Sequence, residues 1–157
     1  MSDDKYLLGL LDILERVSGV EVSSCALVHQ SALRLLNLDN NIFLFSLDVL
    51  APEGCSVTSG MAVSDDEGGN AYREFDEHIP LRIWSKVGGK QFGDLEVCRD
   101  HRTGLLVPSP YELLELIELS PEIDLLREQR AGLAEVLYFD RMDDEELWEF
   151  LSHVRVI

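Results

Sequence analysis

The sequence is poor in positive charge. Thirteen Lys and Arg stand against 30 Asp and Glu, a formal net charge of −17. Binding a phosphate backbone or an anionic bilayer requires Lys and Arg concentrated on one face, so neither nucleic acid nor a membrane is an expected partner. A basic protein is favoured instead. No apolar run approaches the roughly 18 residues of a membrane span, and Met1-Ser2-Asp3-Asp4-Lys5 has neither the positive segment nor the apolar stretch of a secretion signal. Cys25, Cys55 and Cys98 are an odd number without framework spacing. That fits free, mostly buried thiols in a reducing compartment, and a cytoplasmic location is expected. Repeats, heptads and low-complexity linkers are missing too, so residues 1–157 are read as a single acidic domain.

The chain does have the means to fold. Its residues are 46% hydrophobic and 27% charged, ordinary values for a packed domain. Leu7, Leu10, Leu11, Leu14 and Val17 recur at helical spacing before Gly19, and a second helix is predicted from Ser23 or Ser24 to Asn37. Ile42 to Leu50 is too apolar for an exposed strand, so a central strand is predicted there, in a hairpin with Cys55–Val63. The acidic, glycine-rich stretch 64–70 reads as a solvated loop or a contact loop. A second hairpin is predicted over 79–98, turning at Val87-Gly88-Gly89-Lys90, with a further strand at Leu105–Val107. Ser109-Pro110-Tyr111-Glu112 has the form of a capping box opening a helix, and a helix restarts at Ser120-Pro121. Gly132 is read as a break before a strand to Phe139, and Asp143 with Glu146 opens a last helix. Together these give an α+β fold with a mainly antiparallel sheet, a meander of short strands flanked by N- and C-terminal helices.

The charge is unevenly distributed. Residues 1–78 carry 14 acids and 4 bases, residues 79–109 carry 3 and 5, and residues 110–157 carry 13 and 4. Glu112, Glu115 and Glu118 share one helical face, and Asp144, Glu145 and Glu149 crowd the last helix around Trp148. Like charges at such spacing destabilise a helix, so a docking surface for a Lys- and Arg-rich partner is weighed against a merely solvated face. Trp148 is the candidate aromatic anchor of that surface, against a place in the core; Trp84 and Tyr72 are further aromatics to place.

For a metal, Cys25, His29, Cys98 and His101 are the available ligands, but their spacing matches no common finger. No cofactor or metal is expected. Gly-x-Ser-x-Gly, His-Glu-x-x-His and a phosphate-cradling glycine loop are all missing, and Gly88-Gly89-Lys90 sits between predicted strands. The expectation is therefore a non-enzymatic bacterial-type binding protein, an acidic inhibitor or immunity protein that neutralises a basic toxin or nuclease. The alternatives are an acidic chaperone or adaptor for a secreted effector, in the form of a possible homodimer, and an enzyme with an unrecognised carboxylate or His site.

Overall fold

The structure, a computed structural model, describes residues 5–36, 43–119 and 123–140. The turn at 39–41, the helix start at 120–121 and the last helix, with Asp144, Glu145, Trp148 and Glu149, lie outside these residues.

Helix α1 (Lys5–Ser18) buries Leu7, Leu10, Leu11 and Leu14, one face of a 3.6-residue period. At about 2 kcal/mol per buried leucine, this stripe outweighs any weakness of the isolated helix. Gly19, with φ of 75°, ends it by donating its N–H to the Glu15 carbonyl at 2.9 Å. The predicted second helix is interrupted. Cys25 starts an extended stretch, Ala26–Leu27 form strand β1, and helix α2 is limited to His29–Leu35. Cys25 through Val28 are buried without exception, and strand β1 lies between two neighbours, which no solvent-facing helix position could satisfy.

The remaining strands are β2 (Leu47–Leu50), β3 (Met61–Asp65), β4 (Asn70–Asp76), β5 (Pro80–Lys86), β6 (Val97–Arg99) and β7 (Leu106–Pro108). They form one seven-stranded sheet in the order β3-β4-β5-β2-β1-β7-β6. The sheet is mixed: β2 pairs with β5 and β1 with β7 in parallel, while the other strand pairs are antiparallel. This corrects the expected antiparallel meander. The physical reason lies in β2, whose four residues are all buried. A strand covered on both faces belongs inside the sheet, and the residues after it run out to the rim. The chain then returns through β3 and β4 and lays β5 beside β2. The predicted hairpin between 42–50 and 55–63 is therefore not formed.

Two neighbouring expectations are also revised. The turn at Val87-Gly88-Gly89-Lys90 is present, with φ of 58° and 82° at its glycines, but β5 does not pair with the residues beyond it; β6 pairs with β7 instead. The stretch 64–70 is not an open loop, because Asp65 and Asn70 close the β3–β4 ladder around a tight turn. Residues Leu47, Val49, Leu81 and Ile83 join the leucines of the helices in the larger core. By alternation, Asp48, Leu50, Arg82 and Trp84 face the other way, where Leu50 and Trp84 pack with Val28, Val87 and Leu116.

Helix α3 (Pro110–Glu118) begins where Ser109-Pro110 predicts, yet the capping box is not made. The Glu112 carboxylate accepts the Glu96 N–H instead, and the Glu96 carbonyl accepts the Ser109 N–H at 2.8 Å. The helix start is thus fastened to the approach to β6. Helix α4 (Arg127–Asp140) runs unbroken through Gly132, where a break and a strand are predicted. A mid-helix glycine costs only about 1 kcal/mol, less than burying Leu133 and Leu137 one helical turn apart.

Candidate functional site

The acids predicted on α3 are occupied within the fold. Glu112 holds the Glu96 amide, Glu115 pairs with Lys90 at 2.7 Å, and Glu118 pairs with Arg130 at 2.6 Å. The basic segment 79–109 is similarly engaged: Arg82 pairs with Glu74 at 3.3 Å, and Arg99 donates to the Gly104 carbonyl. Part of the charge difference between segments is thus taken up inside the fold, where Arg82 meets Glu74 and Lys90 meets Glu115.

Five of the remaining exposed acids gather on or next to the β3–β4 hairpin, while others, Glu15, Glu21, Glu128 and Glu135 among them, stand apart along the chain. Asp65, Asp66 and Glu67 surround its turn, while Asp76 ends β4 at the opposite end and Glu77 follows it, and all five are exposed. Among the described residues none of these five has an ion pair. Over residues 61–77 six acids stand against one base, a net of −5. That base, Arg73, forms no ion pair among the described residues; its guanidinium donates to the carbonyls of Thr58, Ser59 and Gly60 at 3.2 to 3.4 Å. It holds the chain entering β3 in place.

The hairpin is locked to the β5 turn. Gly89 N–H donates to the Gly69 carbonyl at 2.8 Å, and Gly88 N–H to Asn70 Oδ1 at 2.9 Å. A Cβ on Gly69 would sit 2.5 Å from the Gly89 nitrogen, so only glycine permits this approach.

Beside the hairpin a cleft of about 380 Å³ opens over the sheet. The small side chains Ala62, Ser64, Ala71 and Ser85 line it from the sheet, and Pro52, Cys55 and Val57 from the loop that follows β2. The register places Ala62, Ser64, Ala71 and Ile83 on one face of the sheet. That loop is pinned at both sides: Ala51 N–H donates to the Trp84 carbonyl at 3.0 Å, and Glu53 Oε1 accepts the Gly93 N–H at 2.7 Å. Small residues below and a fixed loop opposite hold the space open.

Trp84 is buried completely, so it serves the core and not a surface. His29 meets its ring edge-on at 5.0 Å and Tyr72 lies against it at 4.5 Å. Beside it, Asp48 in β2 accepts the Trp84 Nε1–H at 2.8 Å and the Ser46 hydroxyl at 2.6 Å, with Arg82 Nη1 at 3.8 Å. Burial pushes the Asp48 carboxyl above its ordinary range, against the opposing pull of Arg82, Ser46 and Trp84. Helix α2 supplies the neighbouring ties, with Ser31 Oγ accepting the Asp48 N–H at 2.9 Å and Gln30 Oε1 the Phe45 N–H at 2.7 Å. His29 is the one non-glycine residue with positive φ, 54°, among the described residues, a conformation that the turn from β1 into α2 imposes. With zero exposure, Asp48 has no path to a substrate in the cleft.

The three cysteines are free: Cys25 is buried, Cys55 is exposed and Cys98 is half-buried, so the expectation of mostly buried thiols holds for Cys25 alone. Burial first, then Cys55 and Glu21, push the Cys25 thiol up to about 12, leaving no thiolate at neutral pH. Among the described residues no three His, Cys, Asp or Glu side chains gather as metal ligands, and no helix is long and apolar enough to cross a membrane.

The chain matches no protein-family model, no curated protein and no solved structure. Its site is thus defined by its own geometry. The acids of α3 stand out in the sequence because they lie at regular helical spacing. Asp76, Glu77 and the cleft do not, since the cleft's lining comes from segments far apart in the chain. The run Asp65-Asp66-Glu67 is visible as a possible contact loop, and the alternation of Met61 and Val63 as a strand; what is not visible is that this strand lies at the rim of the sheet.

Proposed function

We propose that this protein is a non-enzymatic binding protein that engages a basic protein through its β3–β4 hairpin. The observation that carries the reading is the distribution of ion pairs: Glu115 and Glu118 of α3 are paired with bases, whereas Asp65, Asp66, Glu67, Asp76 and Glu77 are exposed and without an ion pair among the described residues, in a segment of net −5. Clustered, unneutralised carboxylates steer a cationic partner during encounter and complement it on contact. An inhibitor or immunity protein against a basic toxin or nuclease is the role this best suits, since carboxylates placed where phosphates bind would occupy the basic cleft of such an enzyme.

A chaperone or adaptor role has one observation in its favour. Phe43 is 65% exposed with its ring against Tyr6 at 5.6 Å, and Phe45 is 43% exposed, an aromatic surface suited to an apolar partner. Salt separates the two, because a charge-driven complex weakens as ionic strength rises and an apolar one persists.

The test is affinity capture from cells of the protein's own source, with salt elution, using the wild type and an Asp65→Asn/Asp66→Asn/Glu67→Gln variant. A basic protein retained at low salt by the wild type and lost from the variant is the expected result. Retention that is indifferent to both salt and the variant would overturn the reading.

A further inference from the structure

The hairpin carries a second unused feature, its backbone. Strand β3 is terminal in the sheet, so one row of its N–H and C=O groups has no strand partner among the described residues. Protein edges are ordinarily guarded by proline, lysine, a bulge or brevity. Met61-Ala62-Val63-Ser64-Asp65 contains neither proline nor lysine, and the irregularity at Ala71/Tyr72 lies between β4 and β5, away from the open side. The opposite rim, β6, is only three residues long. Acidic charge is the guard that β3 has, and it selects by sign. A second copy pairing here would bring two hairpins of net −5 together, whereas a cationic segment would be attracted.

Resting on the reading above, we propose that β3 takes up an extended, Lys- or Arg-bearing segment of the partner as an added strand, one of whose side chains enters the neighbouring cleft. Main-chain bonds along five residues would supply affinity, and the cleft would supply selection among side chains, as in other strand-addition complexes. Ala62 and Ser64 are exposed and form the rim of the cleft. A strand laid beside them repeats their alternation, so every second side chain of the segment falls on the cleft side. The space of about 380 Å³ accepts an apolar side chain, while the residues between them meet Asp65, Asp66, Asp76 and Glu77 at the two ends.

The probe is a seven-residue synthetic peptide of alternating lysine and valine, compared with the same peptide N-methylated at two adjacent central residues. Methylation leaves the charge unchanged but prevents either edge of the peptide from pairing. At low ionic strength the parent peptide should bind about tenfold more tightly, and it should slow hydrogen exchange in 61–65 about tenfold. An Ala62→Trp variant, which fills the cleft from an exposed position, should weaken the parent peptide by a similar factor. Equal affinity for the two peptides with 61–65 unprotected would overturn strand addition while leaving the basic-partner reading intact. Failure of both peptides to bind would overturn it as well, and affinity capture then decides the broader reading separately. Unchanged affinity in Ala62→Trp would remove the cleft from the proposal. A dimer of the free protein with 61–65 protected would overturn it in favour of a second copy.

Discussion

Replacing Asp48 tests the account of the interior most directly. Asp48→Ala removes the acceptor of both the Trp84 Nε1–H and the Ser46 hydroxyl, and takes from Arg82 a buried carboxylate while its pair with Glu74 stays in place. A buried donor deprived of its acceptor costs about 1–3 kcal/mol, and removing one member of a buried ion pair about 3–5 kcal/mol. These costs overlap within one carboxylate, so a loss of about 4 kcal/mol is expected, a large share of the roughly 5–15 kcal/mol a domain possesses. Asp48→Asn keeps the volume and an acceptor for Trp84 and should cost about 1–2 kcal/mol. Urea denaturation followed by tryptophan fluorescence measures both, the slope remaining constant.

The pH dependence adds a sign. Burial raises the Asp48 pKa on folding, so the native state retains this proton to higher pH than the unfolded chain. The stabilisation linked to it is complete below the ordinary aspartate pKa and is lost as pH rises through the higher folded value. The stability of the wild type relative to Asp48→Asn should therefore decline as pH rises across that interval. An alanine variant within about 1 kcal/mol of wild type, or a difference that grows with pH, would refute this description of the core.

Three further outcomes follow from single residues. A Cβ on Gly132 would meet no atom within 4 Å, and the backbone there has no positive φ, so Gly132→Ala should stabilise the protein by about 0.5–1 kcal/mol in the same assay. Gly69→Ala, which meets the Gly89 backbone at 2.5 Å and requires φ of 68°, should destabilise by about 1–3 kcal/mol and speed hydrogen exchange across the β3–β4 turn. Glu115→Gln and Glu118→Gln, each removing a partly exposed ion pair, should cost under about 1 kcal/mol by urea denaturation. Both should leave capture of a basic partner unchanged, whereas loss of capture would return the docking surface to α3.

Locally encoded features are legible in the sequence. The leucine stripe of α1, the stop at Gly19, the glycine turn at 88–89 and the start of α3 at Ser109-Pro110 depend on neighbours within a few residues, and each is where its pattern places it. The acidity of 64–67 is equally plain. Tertiary packing decides the rest. Leu133 and Leu137 carry α4 across Gly132 because burying them outweighs one glycine, a comparison that local propensity does not contain. Glu112 abandons its own helix's cap for an amide sixteen residues away. Strand β2 takes β1 and β5 as neighbours because its two buried faces demand a place inside the sheet, and this parallel pairing with β5 sends β3 to the rim. Sequence alone determined that the protein would be acidic and would fold; only the assembled sheet determined which carboxylates are spent within it and which are left facing outward beside an open strand.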